Sequence, residues 1–284
     1  MKPPPFTYHR PDTCAEVDAL LSMYGSDAKI LAGGQSLVPI LNMRLASPAH
    51  IVDINHLSDE DDVPFEEGDV VVFGPLVRQE AVECSDLVAE KVPLLAAAIK
   101  YVAHPAIRNR GTVVGSVAHA DPAAELPAVL AGLGGAVLTR RSGGSRSIPA
   151  SDFFAGPLEN SMGDDEWAEG VQWPARRAGE GFAFEEFARR SGDYALCGVA
   201  AVMRRSSRTL TLAYLGMGDV PVGLDVDGID SDADIEDAVA GLASSLEAGG
   251  DIHATPRYRS WLAQKLGVKA ARAAFSDAMG GDGR

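Results

Sequence analysis

The chain has 284 residues, 46% of them hydrophobic and 23% charged, and its formal net charge is −15. This length allows two or three domains with full cores, and the composition is that of a globular protein. An acidic chain has no general attraction to nucleic acid or to anionic membranes, which basic proteins bind. No apolar run reaches the roughly 18 residues that a membrane helix needs, so we expect no membrane span.

The cysteines indicate a reducing compartment, and their spacing does not indicate a metal site. The three cysteines, Cys14, Cys84 and Cys197, are far apart and form no C-x-x-C pair. An iron–sulfur or zinc site built from this chain alone is therefore not expected. The first residues, 1–6, lack the apolar segment of a signal peptide. Together these features favour a cytoplasmic location.

The first part of the chain reads as a small α/β unit. Its strand, turn, helix and strand follow one another closely enough to form a compact βαβ unit. Ser36 is expected to cap the second helix, and Pro39 falls in the first turn, where a missing N–H costs little. The predicted elements are a helix over 17–24, a strand over 29–32, a turn at Gly33 and Gly34, a helix over 37–44 and a strand over 51–54.

The rest of the chain reads as two further units that mix strands and helices. The middle unit is predicted to hold a strand over 70–73, a helix over 93–102, a second glycine loop over 108–122, a helix over 126–133, a strand over 136–139 and a polar turn over 140–146. The last unit is predicted to hold strands over 182–188, 198–204 and 210–215, helices over 235–246 and from Pro256, and a frayed tail over 280–284.

Two glycine-containing segments carry the strongest chemical signal in the sequence. The first is Lys29-Ile-Leu-Ala-Gly-Gly-Gln-Ser-Leu37, and the second is Arg108-Asn-Arg-Gly-Thr-Val-Val-Gly-Ser-Val-Ala-His-Ala-Asp-Pro122. Glycine lets a backbone approach a ligand closely, and free N–H groups there bind phosphate. Two such segments suggest a pyrophosphate held from both sides, as in a flavin or nicotinamide dinucleotide.

Each segment also has a purely structural interpretation. The first matches neither G-x-G-x-x-G nor a P-loop, so it can be an ordinary strand-to-helix turn. In the second, Thr112 and Ser116 can donate hydroxyls, and Asp121 and Glu125 can accept from ribose hydroxyls. Asp121 can equally begin a turn, and Glu125 can be a first-turn helix charge. Tyr194 can pack on a flat ring or be a structural tyrosine.

Taken together, the segments resemble the FAD-binding medium subunits of the molybdenum hydroxylases, the xanthine dehydrogenase and carbon monoxide dehydrogenase family. The resemblance extends through the helix over 258–262 and covers nearly the whole chain. It rests on seven segments in order, 29–37, 42–45, 51–55, 107–112, 120–122, 148–156 and 189–195.

The resemblance implies an α+β protein of three units. A small α/β N-terminal subdomain over 1–56 and a larger α/β middle subdomain over 57–175 would hold FAD between them. A C-terminal α+β domain over 176–284, with an antiparallel sheet and helices, would follow.

The resemblance also implies which residues contact FAD. Residues 32–36 and 112–116 would face the pyrophosphate, Asp121 and Glu125 the ribose or adenosine, and Tyr194 the isoalloxazine. The full set of expected cofactor-binding residues is Lys29, Ile30, Leu31, Ala32, Gly33, Gly34, Gln35, Ser36, Leu37, Thr112, Gly115, Ser116, His119, Asp121, Glu125 and Tyr194.

Two positions depart from the family pattern. Val114 stands where the family usually has glycine, and a β-branched residue is poorly suited to positive φ. Glu125 stands where aspartate is common, so its longer side chain reaches ribose directly or through a water.

The function implied is an electron-transfer subunit whose redox chemistry belongs to FAD. A large partner subunit would carry the molybdopterin cofactor, a small one two [2Fe–2S] clusters, and the assembly would be a dimer of heterotrimers. No catalytic acid–base pair or metal ligand is expected on this chain. Two alternatives stay open at this point: a nonredox nucleotide-binding or scaffolding subunit with a degenerate flavin site, and a standalone FAD oxidase.

Overall fold

The computed structural model describes residues 2–58, 63–221 and 223–280. The N-terminal unit contains a three-stranded parallel sheet in the order β1-β3-β2. The predicted βαβ unit is present as β2, α2 and β3. The elements of this unit are β1 (Thr7–His9), α1 (Cys14–Tyr24), β2 (Ala28–Leu31), α2 (Leu37–Met43) and β3 (His50–Asp53).

The middle unit is built on a five-stranded antiparallel sheet in the order β4-β5-β10-β6-β7. Its strands are β4 (Phe65–Glu67), β5 (Val70–Phe73), β6 (Ala136–Arg141), β7 (Gly144–Pro149) and β10 (Trp167–Pro174), with a small β8 (Phe154–Gly156) and β9 (Glu159–Asn160) pair beside them. Its helices are α3 (Gln79–Glu83), α4 (Asp86–Lys91), α5 (Pro93–Ala98), α6 (Pro105–Arg108), α7 (Val113–His119), α8 (Glu125–Leu133) and α9 (Ala150–Phe153).

The C-terminal unit is a four-stranded antiparallel sheet covered by helices. Its elements are β11 (Glu180–Ala188), β12 (Ala195–Arg204), β13 (Thr209–Leu215), β14 (Gly223–Val226), α10 (Asp232–Ser245) and α11 (Pro256–Gly280). One face of the sheet packs on α10 and α11, and the other packs on α5 and α8 of the middle unit. The predicted α+β class, with its parallel and antiparallel sheets, is confirmed.

The second glycine segment differs from its prediction, because much of it is helical. Residues 113–119 form α7, and Thr112 caps it by accepting a hydrogen bond from Gly115 N at 3.1 Å. Val114 has no positive φ and is 3% exposed, so this position does not need glycine here. The backbone at Val114 is α-helical, a conformation that valine can adopt, and the effect of Val114 on flavin binding stays open.

Other predictions of local structure need correction. The polar turn over 140–146 is a β6–β7 hairpin, since Gly143 and Gly144 at positive φ allow a tighter turn than predicted. The helix from Pro93 ends at Ala98 instead of Val102. Ser36 occupies the N-cap position of α2 but makes no capping hydrogen bond, because its own backbone is already helical. The predicted frayed tail lies outside the described residues, apart from Gly280 in α11.

A buried carboxylate joins the N-terminal unit to the middle sheet. Asp18 of α1 accepts a hydrogen bond from the Trp167 indole at 2.9 Å and forms an ion pair with Arg140 at 2.9 Å. Trp167 is 2% exposed and packs in the core of the N-terminal unit, although it belongs to β10. This bridge therefore fixes the N-terminal unit beside the middle sheet.

We predict that Asp18→Ala lowers the free energy of unfolding by about 1 to 3 kcal/mol, since it leaves the indole N–H buried without an acceptor. Asp27→Ala, at an exposed position, is the matched control and should change stability by less than about 0.5 kcal/mol. Chemical denaturation of the purified variants measures both. Equal stability of the two variants would show that the bridge does not hold the units together.

Candidate functional site

A cavity of about 870 Å³ lies where the three units meet. The N-terminal unit lines it with residues 32–37, the middle unit with the region from Gly111 to Asp121, and the C-terminal unit with Tyr194. Small-molecule and cofactor sites are typically clefts of about 300–1,000 Å³, so its size suits a large organic ligand. Both glycine segments therefore face the same space.

The two glycine segments touch each other through Gly33. A Cβ atom added to Gly33 would meet the Arg110 carbonyl oxygen and would come within 2.8 Å of Gly111 Cα. Any side chain at position 33 therefore pushes the two segments apart. Gly34 has a different requirement, because its φ of +72° is strained for other residues.

A polar network fixes the same two segments from the side. Asn55 donates a hydrogen bond from Nδ2 to Ala32 O at 2.8 Å and accepts one from Arg78 Nη2 at 2.5 Å. Arg78 also donates from Nη1 to Arg110 O at 2.6 Å. One asparagine and one arginine thus connect the carbonyl groups of both segments, and we call this pair the Asn55–Arg78 clamp.

Backbone pairing extends the clamp to the start of α7. Arg78 and Thr112 form an isolated antiparallel bridge, in which Gln79 N donates to Gly111 O at 2.9 Å. Val113 N donates to Val77 O at 3.1 Å. The N-terminal end of α7 is therefore held by the segment that carries Arg78.

The structure brings together fourteen of the sixteen residues predicted to contact the cofactor. Leu31 and Glu125 are not among the described residues that line the cavity. Leu31 lines a smaller cavity of about 390 Å³ that is also lined by residues 32–35 and Asn55. Glu125 is 8% exposed and lies behind the cavity wall near Asp121.

Sequence reasoning missed several residues of the site. Gln79 lines the cavity, is 4% exposed, and has a buried Oε1 without a hydrogen-bond partner. Leu158 lines it from the β8–β9 turn with a φ of +61°. Neither belongs to a glycine segment, so only the fold brings them there. Asn55 was noticed as part of the 51–55 segment, but nothing in the sequence pairs it with Arg78.

The acidic residues Asp121 and Glu125 lie near Tyr194. Burial raises the pKa of Glu125 to about 7, and the nearby Asp121 carboxylate adds to this shift. Burial, together with the charge of Glu125, raises the pKa of Glu186 to about 8. Burial of its hydroxyl and the Asp121 and Glu125 carboxylates raise the pKa of Tyr194, although its side chain is 66% exposed overall.

Glu166 also lines the cavity, and its pKa is lowered. Hydrogen bonds from Arg146 lower the pKa of Glu166 to about 2, with further bonds from Thr139 and Gly163 N. Glu166 is 9% exposed and stays ionised at neutral pH. It anchors the wall formed by β6, β7 and β10.

Comparison with known proteins identifies the family. The FAD-binding domain in molybdopterin dehydrogenase matches residues 4–176, more than half of the chain. The chain belongs to this family. It is an FAD-binding medium subunit of the molybdenum hydroxylase type, and so a subunit of an oxidoreductase.

Two similar proteins match this chain over almost their whole length. The carbon monoxide dehydrogenase medium chain of Hydrogenophaga pseudoflava is 34% identical, over 97% of this chain and 99% of that protein. The nicotine 6-hydroxylase medium subunit of Paenarthrobacter nicotinovorans is 39% identical, over 94% of this chain and 96% of that protein.

Solved structures show the same fold. A carbon monoxide dehydrogenase structure from Hydrogenophaga pseudoflava matches with a TM-score of 0.92 at 33% identity, over 98% of this chain and 99% of the other. Quinoline 2-oxidoreductase from Pseudomonas putida 86 matches with a TM-score of 0.90 at 32% identity, over 98% of this chain and 100% of the other. Within the described residues, no helix is long and apolar enough to cross a membrane.

We predict that Gly33→Ala destabilises the chain by about 1 to 3 kcal/mol, because the added methyl must displace the Arg110–Gly111 backbone. Gly241→Ala is the matched control: a Cβ at Gly241 of α10 meets nothing within 4 Å, and alanine should stabilise the helix by about 0.5–1 kcal/mol. Thermal unfolding of both variants measures the difference. A Gly33→Ala variant as stable as the parent chain would show that the close contact between the segments is not required.

Proposed function

We propose that the cavity binds FAD and that the chain passes electrons from the iron–sulfur clusters of a partner subunit to an external acceptor. The observation that supports this most directly is the meeting of the two glycine segments on one cavity of about 870 Å³. A dinucleotide has two phosphate groups and two ring systems. It therefore needs a long cavity whose middle is lined by backbone.

The residues present fit such a ligand. Gly33 and Gly34 leave backbone free of side chains beside the cavity, and the Ser36 hydroxyl makes no capping bond. Gly115 and Ser116 line the facing wall. Backbone N–H groups and hydroxyls of this kind donate to pyrophosphate oxygens without adding positive charge.

One end of the cavity can contact other parts of FAD. Asp121 and Tyr194 lie together at one end, where a carboxylate can accept from ribose hydroxyls and an aromatic ring can pack on a flat ring system. Tyr194 remains proposed for the isoalloxazine, and Asp121, which lies beside Tyr194, for the ribose or adenosine. These groups lie at opposite ends of an extended FAD, so both assignments hold together only if FAD folds back on itself. The roles of Lys29, His119 and Glu125 also remain part of the proposal.

When bound, a flavin supplies the redox chemistry, because it can accept electrons singly and release them in pairs. The protein contributes binding, orientation and electrostatics. Glu166, which lines the cavity, is ionised, whereas burial raises the pKa of Glu125 and Glu186, which are not among the described lining residues.

The names of relatives in the family support a proposal about partner subunits. Known relatives are named as medium chains or medium subunits of dehydrogenase and hydroxylase complexes. We propose that this chain assembles with a large subunit carrying the molybdopterin cofactor and a small subunit carrying two [2Fe–2S] clusters, as a dimer of heterotrimers. The three-unit division at residues 56 and 175 and the cytoplasmic location also remain predictions.

The purified chain should release FAD, and not FMN, when it is denatured with acid. Asn55→Ala should reduce the flavin content several-fold, because it breaks the Asn55–Arg78 clamp beside the cavity. Asn109→Ala removes an exposed side chain within the second segment and is the matched control. Chromatography of the extracted flavin gives both its identity and its amount.

Three outcomes would contradict the proposal. They are FMN in the extract, flavin that stays covalently on the precipitated chain, and equal loss of flavin in the two asparagine variants.

The chain alone should oxidise no substrate of the complex. Co-expression with the proposed large and small partner subunits should give a complex that contains all three subunits. Size-exclusion chromatography with subunit analysis tests this assembly. A stable, substrate-oxidising form of the chain alone would overturn both the electron-transfer role and the need for partners.

A further inference from the structure

One buried amide in the wall of the cavity lacks a hydrogen-bond partner. Gln79 of α3 is 4% exposed and lines the cavity, and its Oε1 is buried without a hydrogen bond. A buried polar group without a partner costs free energy, so folded proteins contain few of them and each needs an explanation. A ligand that supplies the missing hydrogen bond is such an explanation.

The backbone places this amide directly beside the second glycine segment. Gln79 N donates to Gly111 O at 2.9 Å, and a Cβ atom added to Gly111 would come within 2.6 Å of Gln79 Oε1. The amide therefore occupies the space that a side chain at position 111 would take. Gly111 is also the residue that a Cβ on Gly33 would approach. Gln79 thus lies at the point where the two glycine segments meet.

An ion pair holds α3 in place one turn after Gln79. Glu83 of α3 accepts hydrogen bonds from Arg108 Nε at 2.8 Å and from Arg108 Nη2 at 3.1 Å. Arg108, in α6, also donates to Val102 O at 2.8 Å and is 6% exposed. Gln79 and Glu83 are four residues apart, so they lie on the same face of α3. This buried pair fixes α3 to α6 and keeps the amide of Gln79 in the wall.

The wall around Gln79 suits a flat ring. Both Gln79 Oε1 and Ile107 O would contact a Cβ at Gly111, so Ile107 lies next to the amide. None of the described lining residues from Pro75 to Ala118 carries a charge. Ligand sites commonly combine such apolar surface with a few polar groups that fix orientation. The apolar lining residues of this part of the wall are Pro75, Val102, Ala103, Ile107 and Val114.

The chemistry of the amide limits what it can bind. Oε1 of Gln79 accepts hydrogen bonds, and Nε2 donates them. The oxygens of a pyrophosphate only accept at neutral pH, so they cannot supply the donor that Oε1 lacks. A ring edge that presents an N–H beside an acceptor matches both ends of an amide, as when glutamine binds the edge of adenine. The terminal torsion of glutamine is broad and two-fold, so either end of the amide can turn to a ligand.

We propose that Gln79 binds the edge of a heterocyclic ring of the ligand, with Oε1 accepting a hydrogen bond from an N–H group of that ring. This inference rests on the proposed function, because FAD supplies two such edges. They are the imide N–H of the isoalloxazine and the amino group of adenine. Gln79 then orients the ring beside the glycine segments, and it transfers neither a proton nor an electron.

Gln79→Met tests this role, because methionine has a similar length and no amide. In full-length chain from which flavin has been removed, the Kd for FAD should rise about tenfold, as the loss of one hydrogen bond predicts. The Tm of this ligand-free variant should equal or exceed that of the parent chain, since a buried unpaired amide has been removed. Gln264→Met, at an exposed position of α11, is the matched control and should change neither value. Flavin fluorescence titration and thermal unfolding measure the two quantities.

A purely structural role for Gln79 would give different results. An unchanged Kd for FAD in Gln79→Met would overturn the proposal. A Tm below that of the parent chain would also overturn it, because the amide would then support the wall of the ligand-free chain.

Two analogues of FAD identify the ring. 3-Methyl-FAD lacks the imide N–H of the isoalloxazine, and flavin hypoxanthine dinucleotide lacks the amino group of adenine. The parent chain should bind one of them about tenfold more weakly than FAD, whereas Gln79→Met should bind that analogue and FAD equally well. If the parent chain and Gln79→Met show the same preferences among all three ligands, the contact with a ring edge is wrong.

Failure of the proposed function would be a separate result. A parent chain that binds neither FAD nor the two analogues would contradict the proposed function itself. FAD binding that is unaffected by Gln79→Met would contradict only the inference about Gln79.

Discussion

The contact between the backbone of Gly33 and the backbone of Arg110 and Gly111 is the constraint on which the cavity depends. No side chain fits between the two segments, so their separation is set by main-chain atoms. Such a contact defines the width of a ligand site more firmly than flexible side chains do. The parallel sheet of the N-terminal unit and the antiparallel sheet of the middle unit serve to bring these two backbone segments together.

Side-chain hydrogen bonds hold the two glycine segments in position. Asp53 accepts from Tyr8 at 2.7 Å and from Asn55 at 2.6 Å, and Asn55 in turn reaches Ala32 O and Arg78. Each bond contributes about 0.5–1.5 kcal/mol net, and bonds to charged groups contribute more. Because the network runs from β1 to the second glycine segment, a change in any of its members alters the position of the cavity wall.

Much of the fold was predictable from local patterns, and the parts that were not have physical causes. Val70–Phe73 is a buried strand whose bounds match the prediction, since four apolar residues in a row favour a strand. The strand Trp167–Pro174 was missed because small and polar residues interrupt its apolar pattern and its partners are distant in sequence. The second glycine segment was taken for a loop because glycine disfavours helices, yet Thr112 caps a helix there and Gly115 lies in its first turn.

The candidate site was predictable in its composition but not in its connections. Glycine segments and small polar residues can be recognised in a sequence. Nearly all of the residues predicted to bind the cofactor line the cavity. The pairing of Asn55 with Arg78 joins residues from different units. Such pairings arise only when the chain folds, because no local spacing encodes them. Buried polar groups of this kind are therefore where a structure adds most to a sequence.

Amide hydrogen exchange with and without FAD tests the central claim most directly, since the account requires both segments to hold one ligand. We expect FAD to slow exchange of the backbone amides over 33–37 and over 113–116 together, with little change in the exposed parts of α10. Protection of one segment without the other, or of neither, would contradict the account of a dinucleotide held between two backbone walls.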